Sequence, residues 1–219
     1  MSGDRRRRGP SYPLGFVNLN LGWGDVPQSV APYVPTPPIV VRDMLKLSGA
    51  CPDDVLYDLG CGDGRILFAA VEEFGVKRAV GYDLNATMCE AVQVKIDERG
   101  LGDRIKVVNG NFFNADLTPA TLVTLYLTTS GNSKLRPKME NELRKGARVV
   151  SHDFQVRDWA TVKVDPPLHY SVGSHKVFVY SVPDAYEREM SVPRTWEEAS
   201  RWERIRALFI RDLEPSEGA

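Results

Sequence analysis

The sequence predicts an α/β fold, a doubly wound sheet of seven strands that is mostly parallel and closes with an antiparallel hairpin. Three observations carry this expectation. From Val55 onward, short apolar runs alternate with amphipathic stretches, which implies parallel strands joined by right-handed helical crossovers. The first run, "VLYDL", ends in the glycine turn "GCGDG" and passes at once into helical spacing, the strand–turn–helix unit on which this fold class binds its ligands. Near the end, "TVKV" and "HKVFVYSV", separated by "DPPLHYSVGS", suggest the closing hairpin.

The elements follow in order. Residues 1–37 are rich in Gly, Pro, Tyr and Trp, and Pro27, Pro32, Pro35 and Pro37 forbid continuous helix, so this stretch reads as an arm that lies on another surface. "PIVVRDMLKLSG" reads as a short helix with proline at its start and Gly49 beyond its end. After the first strand, Ile66, Leu67, Ala70, Val71 and Phe74 recur at helical spacing up to Gly75. The second strand, "RAVGYDL", leads through Asn85 as N-cap into "ATMCEAVQVKIDERG". "IKVVNGNFF", "TLVTLYLTT" and "ARVVSHDF" give the third, fourth and fifth strands, with "SKLRPKMENELRKG" as a helix between the last two. Residues 38–183 are expected to form one domain. Residues 184–219 form a helical extension, in which Trp196, Ala199, Trp202, Ile205 and Phe209 share one stripe and Thr195 with Glu198 fits a capping box.

Composition bounds the function classes. With 219 residues, 42% hydrophobic and 26% charged, the chain is large enough to bury one substantial core. A formal net charge of -1 gives no general attraction to nucleic acid or to an anionic membrane, although "MSGDRRRRG" is locally basic. No apolar run reaches the roughly 20 residues needed to span a bilayer, and the basic start leads into no apolar segment. A cytoplasmic protein, monomeric in the simplest case, is expected. Cys51, Cys61 and Cys89 lack CxxC spacing and nearby histidines, so neither disulfide nor metal is expected.

Two acids define the ligand. The third glycine of the dinucleotide fingerprint GxGxxG would fall at position 65, which is Arg, and the acids Asp58 and Asp63 around Gly60, Gly62 and Gly64 repel phosphate. A ligand with an ammonium and a carboxylate suits the turn: backbone N–H groups face the carboxylate and Asp58 faces the ammonium. Asp83 ends the second strand nineteen residues beyond Gly64, where a carboxylate accepts both ribose hydroxyls of an adenosine. Leu84 follows it. "NGNFF" after the third strand puts Asn111 at the adenine amino edge and Phe112 beside the ring, with core packing as the alternative for Phe112 and Phe113. S-adenosylmethionine has these groups and is the expected cofactor.

The acceptor channel belongs at the end of the fourth strand, which reads "LYLTTSGN". The Asn/Asp-Pro-Pro-aromatic signature of amino-group methylases on planar nitrogens is absent there, and "DPPL" at Asp165 falls after the fifth strand. "PYVPTPPIVVRDMLKL", "YDLGCGDGRI", "NGNFF", "ATLVTLYLT" and "LRPKMENELRKGARVVSHDF" together resemble the class I S-adenosylmethionine-dependent methyltransferases known as archaeal broad-specificity protein lysine methyltransferases, and their mitochondrial relatives that modify ATP-synthase and nucleotide-carrier lysines. More distantly, the chain is similar to the non-SET histone lysine methyltransferases. The resemblance covers roughly residues 30–182.

It implies a Rossmann-like fold and transfer of methyl groups to lysine side chains of protein partners. It also implies that the PYVPTP arm folds over the cofactor and brings Tyr33 and Thr36 to its methionine end. Tyr33, Thr36, Phe113, Leu127, Thr128 and Phe154 are the expected channel and catalytic positions, with no dedicated general base. His152 and Asp153, after the fifth strand, read either as assisting the transfer or, in the preferred reading, as a satisfied structural pair, and His169 and His175 as structural. Transfer to a small molecule or to RNA, and a non-catalytic module that binds S-adenosylmethionine, are the competing readings. RNA is disfavoured by the acidic overall balance, since an RNA-binding protein should carry a basic face.

Overall fold

The computed structural model describes residues 33–187. The basic N-terminal run and the predicted C-terminal amphipathic helix lie outside the described residues.

The element order is α1 (Pro38–Leu47), β1 (Val55–Leu59), α2 (Arg65–Glu72), β2 (Arg78–Asp83), α3 (Ala86–Glu98), β3 (Ile105–Asn109), a 3-10 turn (Phe112–Asn114), β4 (Leu122–Leu125), α4 (Thr129–Glu142), β5 (Arg148–His152), β6 (Tyr170–Val172), β7 (His175–Ser181) and α5 (Asp184–Glu187). The seven strands form one sheet in the order β3-β2-β1-β4-β5-β7-β6. β1 to β5 are mutually parallel, and β7 runs antiparallel to both β5 and β6. The chain reverses its direction of winding between β1 and β4, the place where open α/β sheets leave a crevice at the carboxyl ends of the strands.

Apolar residues bury on both faces, as continuous Val/Ile/Leu strands require. One layer packs Val40, Met44 and Leu45 of α1 with Leu67, Ala70 and Val71 of α2 and Val92 and Ile96 of α3. The other packs Leu135 and Met139 of α4 with Leu117, Trp159, Phe178 and Tyr180. At the amino edge of the sheet, the Arg148 guanidinium donates to the Ser48 and Gly49 carbonyls at 2.8 and 2.6 Å and to the carboxylate of buried Asp54.

Two expectations need correction. β4 ends at Leu125 instead of continuing through "YLTT", and α4 starts at Thr129, four residues before the expected Ser133. The polar run TTSGN becomes helical because Thr128 caps it, accepting from the Gly131 N–H at 3.1 Å. Buried Asn132 then holds the first turn by donating to the Phe154 carbonyl at 2.9 Å. In the closing hairpin, the first strand is Tyr170–Val172 and not "TVKV". The tight Gly173–Ser174 turn sets Val172 opposite His175, while Val162 makes a single backbone bond to Val179.

Candidate active site

A cleft of about 410 Å³ opens at the carboxyl ends of β1, β2 and β4 and is bounded above by the arm residues Tyr33–Thr36. Its floor is the turn Gly60–Gly64. The N–H groups of Gly60 and Cys61 both donate to the Tyr82 carbonyl, at 2.8 and 3.0 Å, which anchors the turn to the end of β2. Gly62 has φ 52°, and a Cβ there would stand 2.6 Å from Cε2 of Tyr33. Only glycine lets the arm approach this closely. Gly64, also left-handed, starts α2 without a side-chain cap and is not part of the cleft lining.

Three acids converge here under different conditions. Asp58, 3% exposed, accepts from the Thr124 hydroxyl at 2.7 Å through Oδ1. Its Oδ2 is buried without a partner among the described residues. Burial pushes this carboxyl up to about 7; the Thr124 bond opposes the shift, and Asp83 and Asp63 add to it. Asp63 is bonded by the Arg65 guanidinium at 2.5 Å, which holds its carboxyl below the usual range. Arg65 also donates to the Thr36 carbonyl at 2.7 Å, and the Tyr33 hydroxyl interacts with the same Asp63–Arg65 pair. The turn therefore holds the arm through the Asp63–Arg65 pair, and the Asp63 carboxylate is committed to Arg65. Asp83 accepts from the Gly62 and Asn85 N–H groups at 2.9 and 2.8 Å, one bond to each oxygen, leaving further lone pairs on both.

Beside Asp83, Leu84, Asn111, Phe112 and Phe113 line the cleft. Asn111 accepts from the Phe113 N–H at 3.0 Å, and the two phenyl rings lie 4.9 Å apart. On the β4 side, Tyr126 and Leu127 line it. Thr128 is turned into capping α4 and is outside the lining. Phe154 is also outside, half-exposed and stacked on Tyr126 at 6.3 Å. The "DPPL" stretch lies apart from the cleft. The hydroxyl of buried Thr36 meets His152 Nδ1 at 3.1 Å, and the His152 ring lies 3.9 Å from that of Tyr126. Burial lowers the His152 pKa to about 4, against the opposing pull of Asp153 and together with His175, so the ring is neutral at pH 7.

Sequence reasoning missed Tyr126, Met88 and Arg65 as lining residues. Tyr126 sat inside a stretch read as strand, and the early end of β4 is what turns it inward. Arg65 carried a signal, since the first residue after a glycine turn stands at the helix N-terminus beside Asp63.

A family model described as the ANTKMT methyltransferase domain matches residues 58–163. A protein-lysine N-methyltransferase of Saccharolobus islandicus is 44% identical over 154 residues, 66% of this chain and 96% of that protein. An adenine nucleotide translocase lysine N-methyltransferase of Mus musculus is 30% identical over 172 residues, 78% of this chain and 72% of that protein. Among solved structures, an RNA methyltransferase from Salinibacter ruber in complex with S-adenosyl-L-homocysteine aligns with a TM-score of 0.64 at 38% identity, covering 69% of this chain and 95% of that one. On these similarities and the fold that accompanies them, the chain belongs to the methyltransferase family of the ANTKMT methyltransferase domain.

Proposed function

We propose that this protein transfers methyl groups from S-adenosylmethionine to lysine side chains of proteins in the cytoplasm. In this reading residues 38–183 form the catalytic domain, 1–37 an N-terminal arm and 184–219 a C-terminal extension. The observation that carries it is the buried Oδ2 of Asp58, without a partner among the described residues, in a cleft whose β4 side, Tyr126 and Leu127, bears no charge. One side suits an ammonium, and the other admits only a neutral nucleophile.

The residues present fit the cofactor. Asp58 Oδ2 accepts from its ammonium, which removes the cost of the orphaned oxygen. The uncapped start of α2 offers N–H groups to its carboxylate. The free lone pairs of Asp83 accept from the ribose hydroxyls, Leu84, Asn111 and Phe112 flank the adenine, and Gly60 and Gly62 let the backbone come close, while Gly64 leaves room at the start of α2 for the Val92 and Phe68 side chains. When bound, S-adenosylmethionine supplies a methyl group already activated by its sulfonium. Tyr33 and Thr36 cover that end and keep water out.

The chain's own task is to align the acceptor and exclude water. Tyr33, Phe113, Tyr126 and Leu127 form the wall, with Thr128 and Phe154 at its rim. A lysine amine, with an ordinary pKa of about 10.4, must be neutral to attack. An aromatic, desolvating wall lowers that value, and the proton leaves to water before the methyl moves. The lysine reading also rests on the names of the Saccharolobus islandicus and Mus musculus relatives.

The name of the Salinibacter ruber neighbour favours a second reading, RNA as acceptor. The net charge of -1 argues against it. Incubating the purified protein with tritiated S-adenosylmethionine and a cell extract separates the two. Label lost on protease digestion and kept on ribonuclease digestion supports protein acceptors, and the reverse pattern sinks them.

A further inference from the structure

At the carboxyl end of β5, opposite the start of β7, three side chains meet in a closed triangle. His152 Nε2 lies 3.0 Å from His175 Nδ1, His175 Nδ1 lies 3.0 Å from Asp153 Oδ2, and His152 Nε2 lies 3.3 Å from the same Oδ2. The antiparallel pairing of β5 with β7 brings the strand ends together. Asp153, at φ 57°, leaves the strand in a left-handed conformation that costs a non-glycine residue energy. That turn returns its carboxylate over the hairpin, where Oδ1 accepts from the Lys176 N–H at 2.8 Å. Of the three histidines in the chain, two are in this cluster.

Hydrogen bonding alone accounts poorly for the triangle. A ring N–H points along one direction and bonds well only near linearity. Each ring proton therefore serves one side of the triangle and the carboxylate oxygen supplies none, so at most two sides hold a hydrogen bond and the third is a close approach without one. Three donors around a small divalent ion at about 2.1 Å, with angles of about 90–109°, stand about 3.0–3.4 Å apart. The observed separations fall in that interval. We propose that His152, Asp153 and His175 form a binding site for a divalent transition-metal ion of the zinc type, held by two imidazole nitrogens and one carboxylate.

The surroundings agree. The His152 side chain is fully buried, whereas those of His175 and Asp153 are 30% and 26% exposed, so an ion enters from solvent and keeps water on its open side. Metal-ligating histidines usually hold their second nitrogen in a hydrogen bond; here Nδ1 of His152 meets the Thr36 hydroxyl. An ion on Nε2 leaves the proton on Nδ1, which then donates to Thr36 Oγ1. The ion thus clasps the arm over the cleft to β5 and the closing hairpin. It touches no reacting atom, and the site stands whether the acceptor is lysine or RNA.

The test uses the full chain, treated with a chelator and dialysed, then titrated with Zn²⁺ by calorimetry and with Co²⁺ by visible absorption. The expected result is one ion per chain, Co²⁺ bands of a nitrogen–oxygen site, and a thermal transition raised by Zn²⁺. His175→Ala and Asp153→Asn should each weaken binding by at least about tenfold, with far-ultraviolet dichroism confirming that each variant is folded. If a variant fails to fold, competition by Zn²⁺ for the wild-type Co²⁺ bands serves in its place. Absence of saturable one-to-one binding by the wild type overturns the proposal, as does binding undiminished in a folded His175→Ala.

Discussion

Binding of S-adenosylmethionine should expel a proton from Asp58 below neutral pH. In the unliganded protein this carboxyl is buried, has one oxygen without a partner among the described residues and is pushed to about 7 from 3.8. That shift corresponds to about 4 kcal/mol held against the ionised form. An ammonium on Oδ2 reverses the balance, because a paired, hydrogen-bonded carboxylate prefers its charge. At pH 6 binding should release about 0.9 of a proton and at pH 8 about 0.1, and affinity should rise by about fivefold between pH 6 and 7 and about tenfold between pH 6 and 8 before levelling. Calorimetry in two buffers of different ionisation enthalpy measures this count directly. For folding, the sign is opposite to that of an ordinary paired carboxylate. A native pKa above the unfolded one gives stability that is complete below about 3.8 and is lost as pH rises through about 7. Asp58→Asn should accordingly raise the stability of the unliganded protein at pH 8, by at most about 4 kcal/mol, while destroying cofactor affinity. Proton release that is absent at pH 6, or equal at pH 6 and 8, would refute this account of the cleft.

Other perturbations test neighbouring parts of the structure. Gly62→Ala puts a methyl 2.6 Å from the Tyr33 ring, so the arm must move away; calorimetry should find cofactor affinity down by at least about tenfold, about 1.4 kcal/mol. Asp83→Ala removes the acceptor of the Gly62 and Asn85 N–H groups and should abolish cofactor binding, with the folded state checked by its urea transition. Arg148→Ala leaves the buried Asp54 carboxylate without its cation and should lower stability by about 3–5 kcal/mol, read as a lower urea midpoint with unchanged slope.

Much of this architecture is legible in the sequence because it is local. Alternating apolar runs, the glycine turn and the Asn85 cap, which accepts from Met88 N–H at 3.1 Å, each fix an element from within a few residues. Asp58 and Asp83 are legible as candidate site residues because each stands at a strand end beside the glycine turn, where this fold class opens its crevice. What escaped depends on contacts distant in the chain. The early end of β4, which turns Tyr126 into the cleft, depends on Asn132 bonding to Phe154, 22 residues away. The His152–Asp153–His175 cluster has no ligand spacing, since β-pairing across 23 residues assembles it. Arg148 reaches the α1–β1 connection across 94 residues of chain, and no local pattern announces such a bond.

The most direct test of the proposed activity is the chemical identity of the methylated group. Protein labelled by the purified enzyme with tritiated S-adenosylmethionine is hydrolysed in acid and separated by chromatography, with parallel peptide mass spectrometry. Tritium running with methylated lysine, on peptides whose modified residue is lysine, is the predicted result. Tritium on any other residue, or found only in nucleotides, would contradict it.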